Sequence, residues 1–288
     1  MTQGKSGQGP ATKRLIVTSD DFGAAIAVNE AVEQTHRDGI LTAASLMVSG
    51  DAAADAVARA RTMPALGVGL HLVLVEGRPT LPPDQVPDLV DASGHFRTDM
   101  VRAGITMFAK PAARRQLLAE VEAQFAAFAA TGLKLDHVNA HKHFHLHPTI
   151  ASVILKTGKR YGMKSVRAPV EPRDVLAKIE PGTAGVDVAR AWALLVRRRM
   201  RAAGMMVPDQ VFGLAWSGAL DTARLRGLID NLPDGLTEIY AHPATNDHYP
   251  GHASGYAYRA ELAALTDPLA REAISRNSIE RGCFADFA

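Results

Sequence analysis

RLIVTSDDFGAAIAVNEAVEQTHRDG, residues 14–39, sets a short apolar run in front of a longer amphipathic one. RLIVTSD (14–20) reads as a buried strand. FGAAIAVNEAVEQTHRDG (22–39) reads as a helix that stops at Gly39, because glycine tolerates the backbone turn that ends a helix. A strand followed at once by a helix is the building unit of parallel sheets, so the question is how often it recurs.

It recurs along the whole chain. TAASLMVSG (42–50) is a second strand, followed by a helix over 51–64 with Asp51 as its N-cap. LGVGLHLVL (66–74) is a third strand. Residues 76–111 are richer in Pro, Gly and Asp and read as a long loop or insertion. A helix over 113–132 ends at Gly132. LKLDHVNAH (133–141) is the fourth strand, and a helix over 148–162 opens on Pro148. Strands over 164–169, 210–216 and 237–243 alternate with helices over 186–204 and 219–233, and the tail from Tyr258 to Arg281 is helical. The reading is an α/β fold: a deformed TIM-like (β/α) barrel with about seven parallel strands. Residues 1–12 read as a disordered lead and 13–288 as one barrel domain, with insertions near 76–111 and 186–208.

Composition narrows the function classes. The 288 residues are 47% hydrophobic and 22% charged, as in a globular chain with a core. A formal net charge of +2 does not suit a nucleic-acid binder that lives on phosphate contacts. The single cysteine, Cys283, permits no internal disulfide and fits a reducing compartment. The N-terminus lacks the apolar stretch of a secretory signal, and no run approaches the roughly 20 apolar residues of a membrane span. The expected location is cytoplasmic.

The polar residues that matter fall at the carboxyl ends of strands, where βα barrels carry their chemistry. Asp20 and Asp21 end the first strand, His71 nearly ends the third, Arg167 ends the fifth and His242 ends the seventh. In HVNAHKHFHLHP (137–148), alternation along a strand turns His137, Asn139 and His141 to one face, into the barrel mouth. Imidazoles with a carboxylate suit a first-row divalent ion, and three protein ligands leave positions for water. Adjacent Asp20 and Asp21 divide the work: one ligates and the other takes a proton from water. Taken singly, the aspartates are also a helix N-cap pair, His71 and His242 core histidines, and Arg167 an ion-pair partner. Asp21-Phe22-Gly23 and His36-Arg37-Asp38 spell kinase triplets, but in reversed order and without a glycine-rich loop. Adjacent aspartates also suit a glycosidase poorly, since its two carboxylates must flank the bond. His36, His95, His248 and His252 read as surface residues.

The stretches LIVTSDDFG (15–23), GILTAASLMVSG (39–50), LGVGLHLVLVEGRP (66–79), HVNAHKHFHLHP (137–148), YAHPA (240–244) and ELAALTDPLAREAI (261–274) together carry a resemblance. The chain resembles the YdjC/ChbG family of carbohydrate deacetylases, and within it the hopanoid-biosynthesis-associated, HpnK-like branch. The resemblance implies a deformed, polysaccharide-deacetylase-like barrel and one divalent ion, zinc or magnesium first, on Asp21, His71 and His141. It implies Asp20 as general base and His242 as general acid. His143, His145, Arg167 and Asn139 are the expected substrate contacts. Asn139 stands where many members have Asp. The implied reaction removes acetate from an N-acetylglucosaminyl group. On the HpnK-like branch that group sits on a polycyclic lipid, bacteriohopanetetrol; soluble chitooligosaccharides such as di-N-acetylchitobiose, another metal-assisted hydrolysis, or non-catalytic sugar or lipid binding are the alternatives. Residues 186–208 interleave Trp192, Leu195, Met200, Met205 and Met206 with arginines, a pattern that fits peripheral membrane contact as well as an ordinary outer helix. A homodimer is the other partner considered.

Overall fold

The computed structural model describes residues 13–182 and 188–288. The expected N-terminal lead, residues 1–12, and the first two residues of the expected 186–208 insertion lie outside them. In chain order the elements are β1 (Lys13–Phe22), α1 (Ile26–Asp38), β2 (Ala43–Leu46), α2 (Ala53–Ala60), β3 (Gly67–Leu72), α3 (Met100–Ala109), α4 (Pro111–Ala130) and β4 (Val138–Ala140). They continue with α5 (Pro148–Arg160), α6 (Arg173–Ile179), α7 (Val188–Ala202), β5 (Gln210–Phe212), α8 (Thr222–Asp230), β6 (Gly235–Ala241), α9 (Tyr258–Leu265), α10 (Pro268–Arg276), β7 (Glu280–Arg281) and α11 (Phe284–Phe287). Short 3₁₀ helices cover Pro83–Gln85 and His141–Leu146.

The strands form one parallel sheet in the order β4-β3-β2-β1-β6-β5, with β7 added beside the start of β1. The sheet curls, and its two edges meet across residues 165–170. Val166 bridges Val138 on β4, Ser165 bridges Met206, and the Val211 N–H of β5 donates to the Val170 carbonyl at 3.0 Å. The expected strand over 164–169 is therefore a chain of single bridges. Pro169, which has no N–H to give, ends it. The result is a deformed TIM-like α/β barrel. Among the described residues no helix is long and apolar enough to cross a membrane.

Alternation along the strands sorts the side chains into two populations. Leu15, Val17, Ala44, Leu46, Val68, Leu70, Leu72, Val138 and Ile239 face outward and join the main core under the helices. The inward residues fill the barrel in layers. Ile16, Ala43, Leu236 and Phe284 form an apolar floor. Above it the filling is polar: Thr18, Ser45, His137, Arg167 and Glu238 are all fully buried. Gly69 faces this layer because a Cβ there would meet the His137 ring at 2.5 Å. A barrel normally fills its interior with branched aliphatic side chains, so a polar interior is the feature to explain.

Other expected elements differ as well, among them the tail, read as helical to Arg281, which ends in strand β7. Asp51 does not cap α2; the N-cap is Ala52, and the Asp51 carboxylate pairs with Arg78 at 3.3 Å instead. Within 76–111, expected as loop, Met100–Ala109 is helical and is capped by Asp99, whose side chain accepts from the Arg102 N–H at 3.0 Å.

Candidate metal centre and active site

The end of β1 brings two neighbouring aspartates to one mouth. In a regular strand Asp20 and Asp21 would face opposite sides. Here the β1–β2 register shifts between Ser19 and Phe22, and Asp21 takes a left-handed backbone conformation, φ 62°. Such a φ is costly for a residue with a Cβ, least so for Asp and Asn, and is held only where the surroundings impose it. The bulge turns Asp21 to join Asp20, β3 adds His71, and the residue after β4 adds His141.

Asp21, His71 and His141 offer ligand atoms that all lie within 4.8 Å of one another. Asp21 Oδ1 is 3.3 Å from His71 Nε2 and 3.3 Å from His141 Nδ1. Both Asp21 Oδ1 and His71 Nε2 are buried and have no hydrogen-bond partner. Buried polar atoms are rarely left that way, and the unpaired atoms converge on one point. One carboxylate and two imidazoles fit a divalent first-row ion, zinc by ligand type, with positions left for water.

Asp20 sits beside this set but is bound elsewhere. Arg167 donates to both of its oxygens, from Nη1 at 2.5 Å and from Nη2 at 2.9 Å. Asn139 Nδ2 donates to Oδ1 at 3.1 Å. Burial alone would push the Asp20 carboxyl up, but the Arg167 guanidinium holds it well below the usual carboxylate range. Arg167 also donates to Glu238 Oε1, at 3.0 Å from Nε and 2.7 Å from Nη2, and its guanidinium carbon lies 4.4 Å from the centre of the Tyr240 ring. With two carboxylates around it, the guanidinium stays charged although fully buried.

The centre opens into a cavity of about 640 Å³. Asp20, Asp21, His71, His141, His143 and His242 line its floor and walls, with Tyr240, Tyr256, Leu214 and Met47. His242 follows β6 directly. Its backbone N–H is fixed on Glu261, its Nδ1 has no partner, and its ring stands edge-on to Tyr240 and Tyr256. His143 Nε2 meets the Tyr240 hydroxyl at 2.8 Å. Burial, with Arg167 nearby, keeps this imidazole neutral.

The histidine run of 137–147 thus divides by depth. His137 lies inside the barrel, fully buried and stacked on Phe284. It does not reach the mouth, because alternation fixes the face of a side chain but not its height. After Ala140 the strand ends in the 3₁₀ turn, where Lys142 and His143 are left-handed, so the period of two no longer means one face. Of the four expected substrate contacts, His143 alone lines the cavity. His145 is buried with Nε2 3.0 Å from the Arg167 carbonyl oxygen, and burial lowers its imidazole to about 3. Arg167 and Asn139 lie behind Asp20, their polar atoms already engaged. His95 and His252 are exposed, as expected, but stand at the cavity rim.

Tyr240, Glu238, Ser45 and the loop anchors are not among the residues expected from the sequence. Tyr240 and Glu238 stand two and four residues before His242, so alternation contained their signal. The anchors had none: Glu171 accepts the N–H groups of Gly213 and Leu214, both at 3.0 Å, and of Ala215 at 3.1 Å. Glu120 likewise holds Thr80 and Leu81, and Glu261 holds Leu220 and His242. Each buried glutamate satisfies a loop whose neighbouring residues reach the cavity.

Residues 14–276 match the YdjC-like protein family. The chain is 31% identical over 275 residues to a carbohydrate deacetylase of Geobacillus stearothermophilus, covering 94% of this chain and 97% of that one. It is 28% identical over 281 residues to a chitooligosaccharide deacetylase of Enterobacter sp. (strain 638), covering 95% and 99%. A crystal structure of an Enterococcus faecalis V583 protein, named for cellobiose-phosphate cleavage, superposes with a TM-score of 0.76 at 24% identity, over 96% of this chain and 99% of that one, and so shares the fold. The chain belongs to the YdjC-like protein family.

Proposed function

We propose that the protein is a divalent-metal-dependent deacetylase of N-acetylated carbohydrates. The observation that carries the reading is the convergence of Asp21, His71 and His141 beside a separately clamped Asp20 on the floor of one cavity. The names of the aligned relatives supply the substrate class.

Asp21, His71 and His141 would hold the ion. When bound, it supplies a positive charge that acidifies water and polarises the acetamide carbonyl. Asp20 accepts the proton of the attacking water. Its two oxygens already take three hydrogen bonds, from Arg167 and Asn139, and a carboxylate has about four lone-pair positions. The clamp therefore leaves one acceptor position and fixes its direction. A carboxylate held so far down is a weak base toward ordinary water, which is why the chemistry needs the ion. His242, which lines the same cavity with an unpartnered Nδ1, protonates the departing amine. Leu214 and Met47 offer apolar surface to the acetyl methyl and the sugar ring.

A finer reading makes the sugar lipid-linked, as on N-acetylglucosaminyl bacteriohopanetetrol. It rests on the HpnK-like form of HVNAHKHFHLHP and on exposed apolar side chains near the mouth. Trp192 and Leu195 on α7 are 42% and 54% exposed, and Trp192 Nε1 donates to the Leu146 carbonyl just beyond the histidine turn. Peripheral membrane contact belongs to the same reading. Mass spectrometry of metal-loaded protein offered that lipid beside di-N-acetylchitobiose tests both levels. Loss of one acetyl from either substrate supports the deacetylase. Turnover of the chitobiose alone discards the lipid reading, and turnover of neither discards the function.

A further inference from the structure

A file of buried polar side chains runs down the barrel from His71 to its far end. His71 Nδ1 lies 2.7 Å from Asn139 Oδ1. Asn139 Nδ2 lies 2.8 Å from Ser45 Oγ, and Ser45 Oγ lies 3.0 Å from His137 Nε2. His137 Nδ1 lies 2.9 Å from Asp136 Oδ2. The Asp136 carboxylate is fixed in turn by the N–H groups of Phe284 and Ala285, at 3.3 and 2.8 Å. Ser45, His137 and Asn139 are fully buried, and none of them lines the cavity.

The direction of every link follows from the two carboxylates, which only accept. At the upper end, Asp20 Oδ1 takes a hydrogen from Asn139 Nδ2, so the Asn139 amide cannot be turned round. Its Oδ1 then faces His71 and accepts the Nδ1–H. Its second Nδ2 hydrogen goes to Ser45. The Ser45 hydroxyl, having accepted, gives its one hydrogen to His137 Nε2. That leaves the His137 proton on Nδ1, where Asp136 accepts it at the lower end. Both ends agree, and all the donors in the file point the same way, from His71 toward Asp136.

We propose that Ser45 and His137 are positioning residues: acting through Asn139, they keep the proton of His71 on Nδ1 and so leave Nε2 as a free lone pair for a metal ion. The competing arrangement is close at hand. Asp21 Oδ1, 3.3 Å from His71 Nε2, would draw the proton to that side and block the ligand position. Asparagine at 139 is what joins the two halves, because it accepts from His71 and still donates to both Asp20 and Ser45. An aspartate there would do only the first. The inference rests on the metal-site reading of Asp21, His71 and His141.

The test reads tautomers in metal-free protein by histidine side-chain ¹H–¹⁵N correlation. In the unaltered protein His71 and His137 both carry their proton on Nδ1; an Nε2 proton on either overturns the proposal without any variant. Ser45→Ala breaks the file between Asn139 and His137. It gives His71 a detectable Nε2–H population and weakens Zn²⁺ binding, measured against a chromophoric chelator, by about 10- to 100-fold. Ile16→Val, in the apolar floor beneath the file, loosens the barrel but leaves the His71 tautomer and the Zn²⁺ affinity unchanged. Equal loss of affinity in Ser45→Ala and Ile16→Val assigns Ser45 to general stability and overturns the proposal, as does unchanged affinity in Ser45→Ala. None of these readouts requires turnover. An inactive protein with the stated tautomers removes the deacetylase reading alone, and an active protein with the wrong tautomer removes this inference alone.

Discussion

Arg167, itself fully buried, grips Asp20 through both carboxylate oxygens, at 2.5 and 2.9 Å, just beneath the cavity floor that Asp20 lines. The same guanidinium holds Glu238, which also accepts from Thr18 Oγ1 at 2.8 Å. Breaking a buried ion network by removing one partner costs more than the network contributes, because the remaining charges stay buried. Arg167→Met leaves Asp20 and Glu238 without a cation and lowers the unfolding free energy by about 3–5 kcal/mol. Urea denaturation measures it. A loss below about 1 kcal/mol would mean that the carboxylates had found water or protons.

Asp20→Asn separates the base from the ion. The proposed ligands Asp21, His71 and His141 are untouched, so the expected outcome is that one divalent ion still binds. Turnover falls by about 10²–10⁴, the usual contribution of a positioned general base. Metal stoichiometry and kcat are measured on the same preparation. Full activity in this variant would remove Asp20 from the chemistry.

Sequence and structure agree on the period of the strands and differ on depth and closure. LIVTSD read as a buried strand because its neighbours on both sides and the helices outside leave it no wet face. The pairing of 165–170 with both sheet edges was hidden, since it joins residues distant in sequence through single bridges. Arg167 was visible at a strand end, but nothing local showed that it faced inward onto two carboxylates. The helix Met100–Ala109 is not legible in the sequence because it lies within a stretch, 76–111, whose Pro, Gly and Asp content reads as loop. In the structure Gly104 lets the helix approach His147, where a Cβ would lie 3.1 Å from the ring. The Asp21 bulge left no mark in the sequence beyond the doubled aspartate.

Glu171 is the anchor of the loop that carries Leu214 to the cavity. Glu171→Ala removes the acceptor of three backbone N–H groups, of which that of Gly213 is buried and those of Leu214 and Ala215 lie nearer the surface, at about 1–3 kcal/mol. KM for the carbohydrate rises more than kcat falls, because the loop shapes the cavity wall and not the metal centre. Steady-state kinetics beside a thermal melt distinguishes this from simple unfolding, which would lower the active fraction and leave KM alone.

Asp136 makes stability depend on acid. Burial would raise its carboxyl, but the His137 N–H and the Ala285 N–H pull it below the ordinary value. A folded value below the unfolded one, about 3.9, means stabilisation that is present above about pH 4 and lost as pH falls through the folded value. Asp136→Asn is therefore less stable than the parent at neutral pH, and the difference narrows below about pH 4. Urea midpoints across that range check the sign. A gap that widened in acid would contradict it.

In the proposed function, Asp21, His71 and His141 hold one divalent ion on which deacetylation depends. The most direct measurement is Zn²⁺ titration of chelator-treated protein, following bound metal and acetate release from di-N-acetylchitobiose together, in the parent and in His71→Ala and His141→Ala. The expected result is acetate release that rises with metal to one ion per chain and is absent from both variants. Acetate release by the metal-free protein, or undiminished release by either variant, would contradict it.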